Sequence, residues 1–160
     1  MPIRKTDQGW YWGSKGPFPT KQKAIDVGRA AHASGYQEEE MTDRAVVVFA
    51  STMLHSITCA HILHLKTTSY AAHMALGEYY HEVEDLIDAW IEAYQGKYGV
   101  IEQYDDSFEQ HDDALQYMGM MNDWLANTRK ALPSDTELQN IVDEIVALID
   151  STIYKLKRFK

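Results

Sequence analysis

With 160 residues and 15 Lys+Arg against 24 Asp+Glu, the chain has room for one domain and an arm. Its formal charge of -9 excludes a general nucleic-acid-coating surface, which needs clustered positive charge. A lone cysteine, Cys59, rules out an internal disulfide. Set among apolar residues, it points to a packing role in a reducing compartment, and with no leader segment or long apolar run in evidence the expected location is cytosolic, away from membranes.

Residues 1 to 20 set Trp10, Tyr11, Trp12 and Phe18 between Gly9, Gly13, Gly16, Pro17 and Pro19. That composition makes turns, with room for one hairpin and no helix. The run GSKG lacks the glycine spacing and the preceding strand of a phosphate loop. A short helix is expected next, capped by Thr20, spanning residues 21 to 34 and stopped by Gly35. Its apolar positions, Ala24, Ile25, Val27 and Ala31, are small and few, so residues 1 to 40 read as an arm that docks on the main body or on a neighbour. Basic residues gather at both ends of the chain, as solvated tails usually do, and nucleic acid is not an expected partner.

The main body, residues 41 to 160, follows the acidic run Glu38-Glu39-Glu40 and opens with a helix starting at Thr42 or Asp43. Two adjoining apolar stripes, Val47, Ala50, Leu54, Ile57 and Val48, Thr52, Cys59, Ile62, predict a helix buried on two sides. A polar break over residues 66 to 69 precedes a second helix, residues 69 to 94, with Leu76, Tyr80, Val83, Ile87, Trp90 and Tyr94 as its core stripe. From residue 95 to 112 the helical period fails. Asp112 or Asp113 caps a third helix whose inner face is Leu115, Met118, Met121 or Asn122, and Leu125, and Pro133 ends it near Leu132. The fourth helix is capped by Ser134 or Asp135, carries Leu138, Ile141, Ile145, Leu148, Thr152, Ile153 and Leu156 inward, and ends in a basic turn suited to the helix dipole. Short first and third links force antiparallel neighbours, whereas the middle link can run the length of the helices. The expected fold is therefore all-α, a ferritin-like four-helix bundle with a long middle crossover, preceded by the aromatic, Gly/Pro-rich arm.

Chemistry concentrates on the first helical hairpin. His61 and His64, three apart, share a face of the first helix; on the second, His73, Gly77, His81, Glu84, Asp88 and Glu92 form one titratable stripe. Asp88 and Glu92, one turn apart, can chelate a cation between them, although the same spacing is common on solvated acidic faces. His55 reads as a core histidine, and His111 and His32 have no matched partners. The pair Glu78 and His81 spells E-x-x-H, but the third and fourth helices carry no second copy.

The order His, short break, Tyr70 and His73, then Asp88 and Glu92 fifteen and nineteen residues after His73, resembles the Dps family of mini-ferritins across roughly residues 44 to 158. The resemblance implies a homo-oligomer in which two histidines of one subunit and an aspartate and glutamate of a two-fold neighbour build an iron-oxidising centre; zinc or manganese are the other metals such donors suit. It assigns His73, Asp88 and Glu92 as metal ligands, together with His61, which keeps the family spacing of twelve to His73, or His64, which fits the local context better. The carboxylate expected four residues after His73 is Gly77 here. The segments HLKTTSYAAHMALGEYY, EAYQGKYGVIE and QNIVDEIVALIDSTIYKLK resemble an uncharacterised group of small bacteriophage proteins, and WYWGSKGPFPT with AAHASGY is similar to a short module of phage proteins. That likeness implies a phage protein of the host-cell cytoplasm or the virion. The alternative is a non-enzymatic phage structural or interaction protein that keeps the bundle and oligomer surface and docks on a phage or host protein through its arm.

Overall fold

The computed structural model describes residues 3–12 and 15–159, with the backbone alone described at 12, 15 and 31–42. Gly13 and Ser14, the side chains of Trp12, His32 and Glu38-Glu39-Glu40, and the surroundings of Gly35 lie outside the described residues. The chain divides into two units, Met1–Met41 and Thr42–Lys160.

In the first unit, three strands form an antiparallel sheet in the order β1 (Ile3–Thr6), β2 (Gly9–Trp12), β3 (Lys15–Phe18). Ile3 pairs with Trp12 and Thr6 with Gly9, and Trp10 stands opposite Phe18. Two glycines permit this close weave. At Gly9, with φ +138°, a Cβ would lie 2.8 Å from the carbonyl oxygen of Phe18, and at Gly16, with φ +140°, 2.7 Å from the Tyr11 ring. The composition predicts at most a hairpin, whereas the sheet has a third strand.

Helix α1 spans Lys21–Lys66 and does not stop at Gly35, which corrects the expected short helix. An interior glycine costs only about 1 kcal/mol relative to alanine and ends a helix only where the chain takes the left-handed cap geometry. The long apolar continuation outweighs that penalty. Its second half, Asp43–Lys66, is long and apolar enough to cross a membrane by length and composition, and half of its most apolar window is buried inside the protein. Phe49, Met53, Ala60 and Leu63 are among its contributions to the core, while Leu54 and Leu65 are exposed.

The second unit continues with α2 (Tyr70–Tyr98), α3 (Ala114–Thr128), a 3-10 turn (Arg129–Ala131) and α4 (Thr136–Arg158). Ser69 caps α2 by accepting from Ala72 N at 3.2 Å, and Asp113 caps α3 by accepting from Gln116 N at 2.8 Å. Asp135 precedes α4 without capping it, because its carboxylate is taken by Lys97 and, at 2.5 Å, by the Tyr98 hydroxyl. All four helices contribute to one core, with Phe49, Met53, Leu76, Tyr79, Trp90, Met118, Leu125 and Ile145 among its buried members.

Side-chain contacts trace the course of the chain. Lys97 and Tyr98 at the end of α2 hold Asp135 at the start of α4, and Glu78 near the start of α2 meets Lys155 near the end of α4 at 2.5 Å, so these helices are antiparallel. Residues 99–113 form no helix and run beside α1 in the same direction. Asp105 meets Arg44 at 3.3 Å and donates its N–H to Ser51 Oγ at 2.8 Å, Phe108 meets the edge of His55, and Asp112 reaches Lys66. α3 therefore starts beside the end of α1, and Arg129 just beyond its end bonds to Asp143 of α4 at 2.8 Å.

Several core assignments shift by one or two positions. Tyr79 is fully buried where the stripe predicts Tyr80, Val142 replaces Ile141, Tyr117 replaces Leu115, and Leu54 lies exposed. The members of each pair are one or two residues apart, and packing against the partner helix selects the one that faces inward.

Candidate metal centre

The last turn of α1 and the first turn of α2 are joined by a turn that satisfies itself. Thr67 N donates to Leu63 O at 3.1 Å, Ser69 N to Thr67 Oγ1 at 3.2 Å, and His73 N to Ser69 O at 2.9 Å. So tight a link brings His64 and His73 together. His64 Nδ1 donates to the carbonyl oxygen of His73 at 2.7 Å, and His73 Nδ1 donates to that of His64 at 3.1 Å. The carbonyl of His64 belongs to the final turn of α1, where no intrahelical donor exists, so His73 satisfies an orphan acceptor. A carbonyl only accepts, so each ring carries its proton on Nδ1 and leaves Nε2 with a lone pair, the tautomer of a metal-ligating histidine whose other nitrogen is held by a backbone oxygen.

Around this pair stand His61 and Tyr80. His61 is exposed and stacks on Tyr80 with ring centroids 4.5 Å apart; it lies 5.9 Å from the His64 ring, and Tyr80 meets His64 edge-on at 5.4 Å. The sequence places Tyr80 in the core, whereas it is a half-buried wall of the histidine cluster. Its signal is the i, i+3 relation to Gly77, which puts a ring and a gap side by side on α2. Gly77 explains the gap: a Cβ there would lie 3.3 Å from His64 Cε1 and 3.4 Å from its Nδ1. The imidazole of His64 occupies the space into which a side chain at position 77 would grow.

The other candidates stand apart. Asp88 and Glu92 are exposed on α2, about 22 and 28 Å beyond His73 along the axis at roughly 1.5 Å per residue. Glu78 is tied to Lys155, which separates it from His81, whose ring lies against Tyr80. Among the described residues no three His, Cys, Asp or Glu come together in a cluster able to hold a metal. His64 and His73 stack at 3.6 Å with 24° between planes, and since each lone pair lies in the plane of its own ring, sharing one ion requires the stack to open. The donor set therefore fits a divalent metal through its tautomers and imidazole chemistry, but is incomplete within one chain.

Fold and site together define a mostly helical protein with a small N-terminal sheet and a histidine-lined hairpin tip. The chain belongs to the family of unknown function DUF5856, which it matches over residues 64–156. That span begins at His64 and includes His73, Asp88 and Glu92, while His61 and the first unit fall outside it. Comparison with curated proteins finds no match, and comparison with solved structures finds none either.

Proposed function

We propose that this is a mini-ferritin-like, homo-oligomeric metal-binding protein, a ferritin-like four-helix bundle that binds Fe(II) at an interface between subunits. His73 with His61 or His64 supplies the imidazoles and Asp88 and Glu92 of a neighbouring copy supply the carboxylates. The reciprocal bonding of His64 and His73 carries the reading, since it leaves two Nε2 lone pairs for a metal. The course of residues 99–113 beside α1 supports the long middle crossover of the ferritin-like arrangement. The exposure of Asp88 and Glu92 leaves them available to another chain. Iron is the metal of the Dps resemblance; zinc and manganese are the comparison ions, and oxidation of Fe(II) is the activity to assay. On the phage resemblance, the proposed location is the host cytoplasm or the virion. Elemental analysis after Fe(II) loading tests the site: the expected result is bound iron in the parent and its loss in Asp88→Ala, and equal iron in both would contradict it.

A second reading rests on Trp10 and Phe18, cross-strand partners that stay half-exposed on the N-terminal sheet. Exposed aromatics of this kind suit docking on a phage or host protein. On this reading the protein is a structural adaptor, and deleting residues 1 to 36 abolishes partner binding while helicity persists; an unchanged partner set after the deletion excludes it.

A further inference from the structure

A cavity of about 430 Å³ lies between α1, residues 107–111 and α3, away from the hairpin tip. Its walls are chemically selective. Among the described residues, no Leu, Ile or Val lines it, and no Lys or Arg. A space that packing had simply failed to fill would be walled by the branched aliphatics that make up the neighbouring core. Instead, α3 presents Tyr117, Met121 and Trp124 at helical spacing, and the irregular segment adds Phe108 and Glu109.

On the α1 side, Thr52, His55 and Cys59 recur at steps of three and four, giving a floor of small and polar groups. The Cys59 thiol is buried, bonded with the His111 backbone and the Tyr117 side chain, and forms part of the wall. Aromatic faces present negative charge to a ligand, thioethers are polarisable, and the Glu109 carboxylate at the rim, with no Lys or Arg in the lining beside His55 and His111, sets the preferred sign. We propose that this cavity binds a planar aromatic cation, seated among Phe108, Tyr117 and Trp124 with Glu109 as its counter-charge. The site is independent of the metal reading, and its volume falls in the range of small-molecule pockets.

Full-length protein with ¹³C-methyl-labelled methionine, titrated with proflavine and separately with the anionic dye 1-anilinonaphthalene-8-sulfonate, tests it. Met120 and Met121 line the cavity and Met74 does not, so methyl shifts report location. The expected result is saturable shifts of Met120 and Met121 with proflavine alone, and a Kd raised about threefold or more in Glu109→Gln. Shifts confined to other methionines, an equal response to the anionic dye, or an unchanged Kd in Glu109→Gln would each overturn the proposal. Glu109 is exposed, so the substitution leaves folding intact.

Discussion

His64 and His73 clasp each other across the hairpin, each donating its Nδ1 proton to the other's backbone carbonyl while the two rings stack at 3.6 Å. Because the clasp is reciprocal, removing either ring dismantles both halves of the contact. His64→Ala and His73→Ala should each cost about 1–2 kcal/mol, and the double variant should cost well under their sum. Urea unfolding of the three variants measures this; additive losses would show that the rings act separately.

Position 77 decides how much room His64 has. Gly77→Ala should gain helix propensity worth up to about 1 kcal/mol but crowd a ring 3.3 Å from the new Cβ, so net stability should stay within about 1 kcal/mol of the parent while the His64 imidazole resonances move. Gly77→Glu adds the carboxylate that the mini-ferritin pattern carries, and under the proposed function it should tighten Fe(II) binding about tenfold or more in chelator competition.

A buried hydroxyl pair fixes the middle of the same hairpin. Ser56 Oγ donates to Met53 O at 2.6 Å, so at the 3.0 Å contact between the two hydroxyls Tyr79 must be the donor. Tyr79→Phe removes that donor yet leaves Ser56 bonded, and should cost about 1 kcal/mol in thermal or urea unfolding; Ser56→Ala strands the Tyr79 hydroxyl and should cost more.

At the opposite end, Lys97 and Tyr98 hold the Asp135 carboxyl below its ordinary pKa. A depressed folded-state pKa contributes stability above the unfolded value of about 3.9, and that contribution is lost as pH falls through the folded-state pKa. The same contacts raise the pKa of Lys97 and of Tyr98, first through the bond to Asp135. Their contribution is present at neutral pH and is lost as pH rises through the folded-state values. Asp135→Asn should flatten the acid limb of a stability-against-pH curve; an unaltered limb would mean the clasp is fully screened.

How far the chain could be read before folding depends on whether a feature is local. The break at 66–69 and the cap at Asp113 are set by a few neighbouring residues, and each lies where the sequence places it within a residue or two, whereas α3 itself ends at Thr128 and only a 3-10 turn continues toward Pro133. Facing is not local. Helix α1 is apolar over so wide an arc that its partners choose the buried side, which is why Leu54 lies exposed while Phe49 and Met53 are in the core. The same holds at Tyr79 and Tyr80, adjacent rings of equal hydrophobicity separated only by tertiary packing. Within the site, the sequence leaves His61 and His64 as alternatives, whereas both rings stand beside Tyr80. The reciprocal backbone bonds that set the tautomers of His64 and His73 depend on three-dimensional turn geometry and have no signature in residue type.

A mixed oligomer tests the intersubunit metal site most directly. If His73 of one subunit and Asp88 of its two-fold neighbour serve one ion, neither His73→Ala nor Asp88→Ala alone should hold metal, whereas a pair containing one of each keeps one intact site of its two. Refolding the variants together in equal amounts should restore iron to about a quarter of the parent level per subunit, through random pairing of subunits. Restoration below about a tenth of the parent level, or a parent that itself binds no iron, would contradict the account.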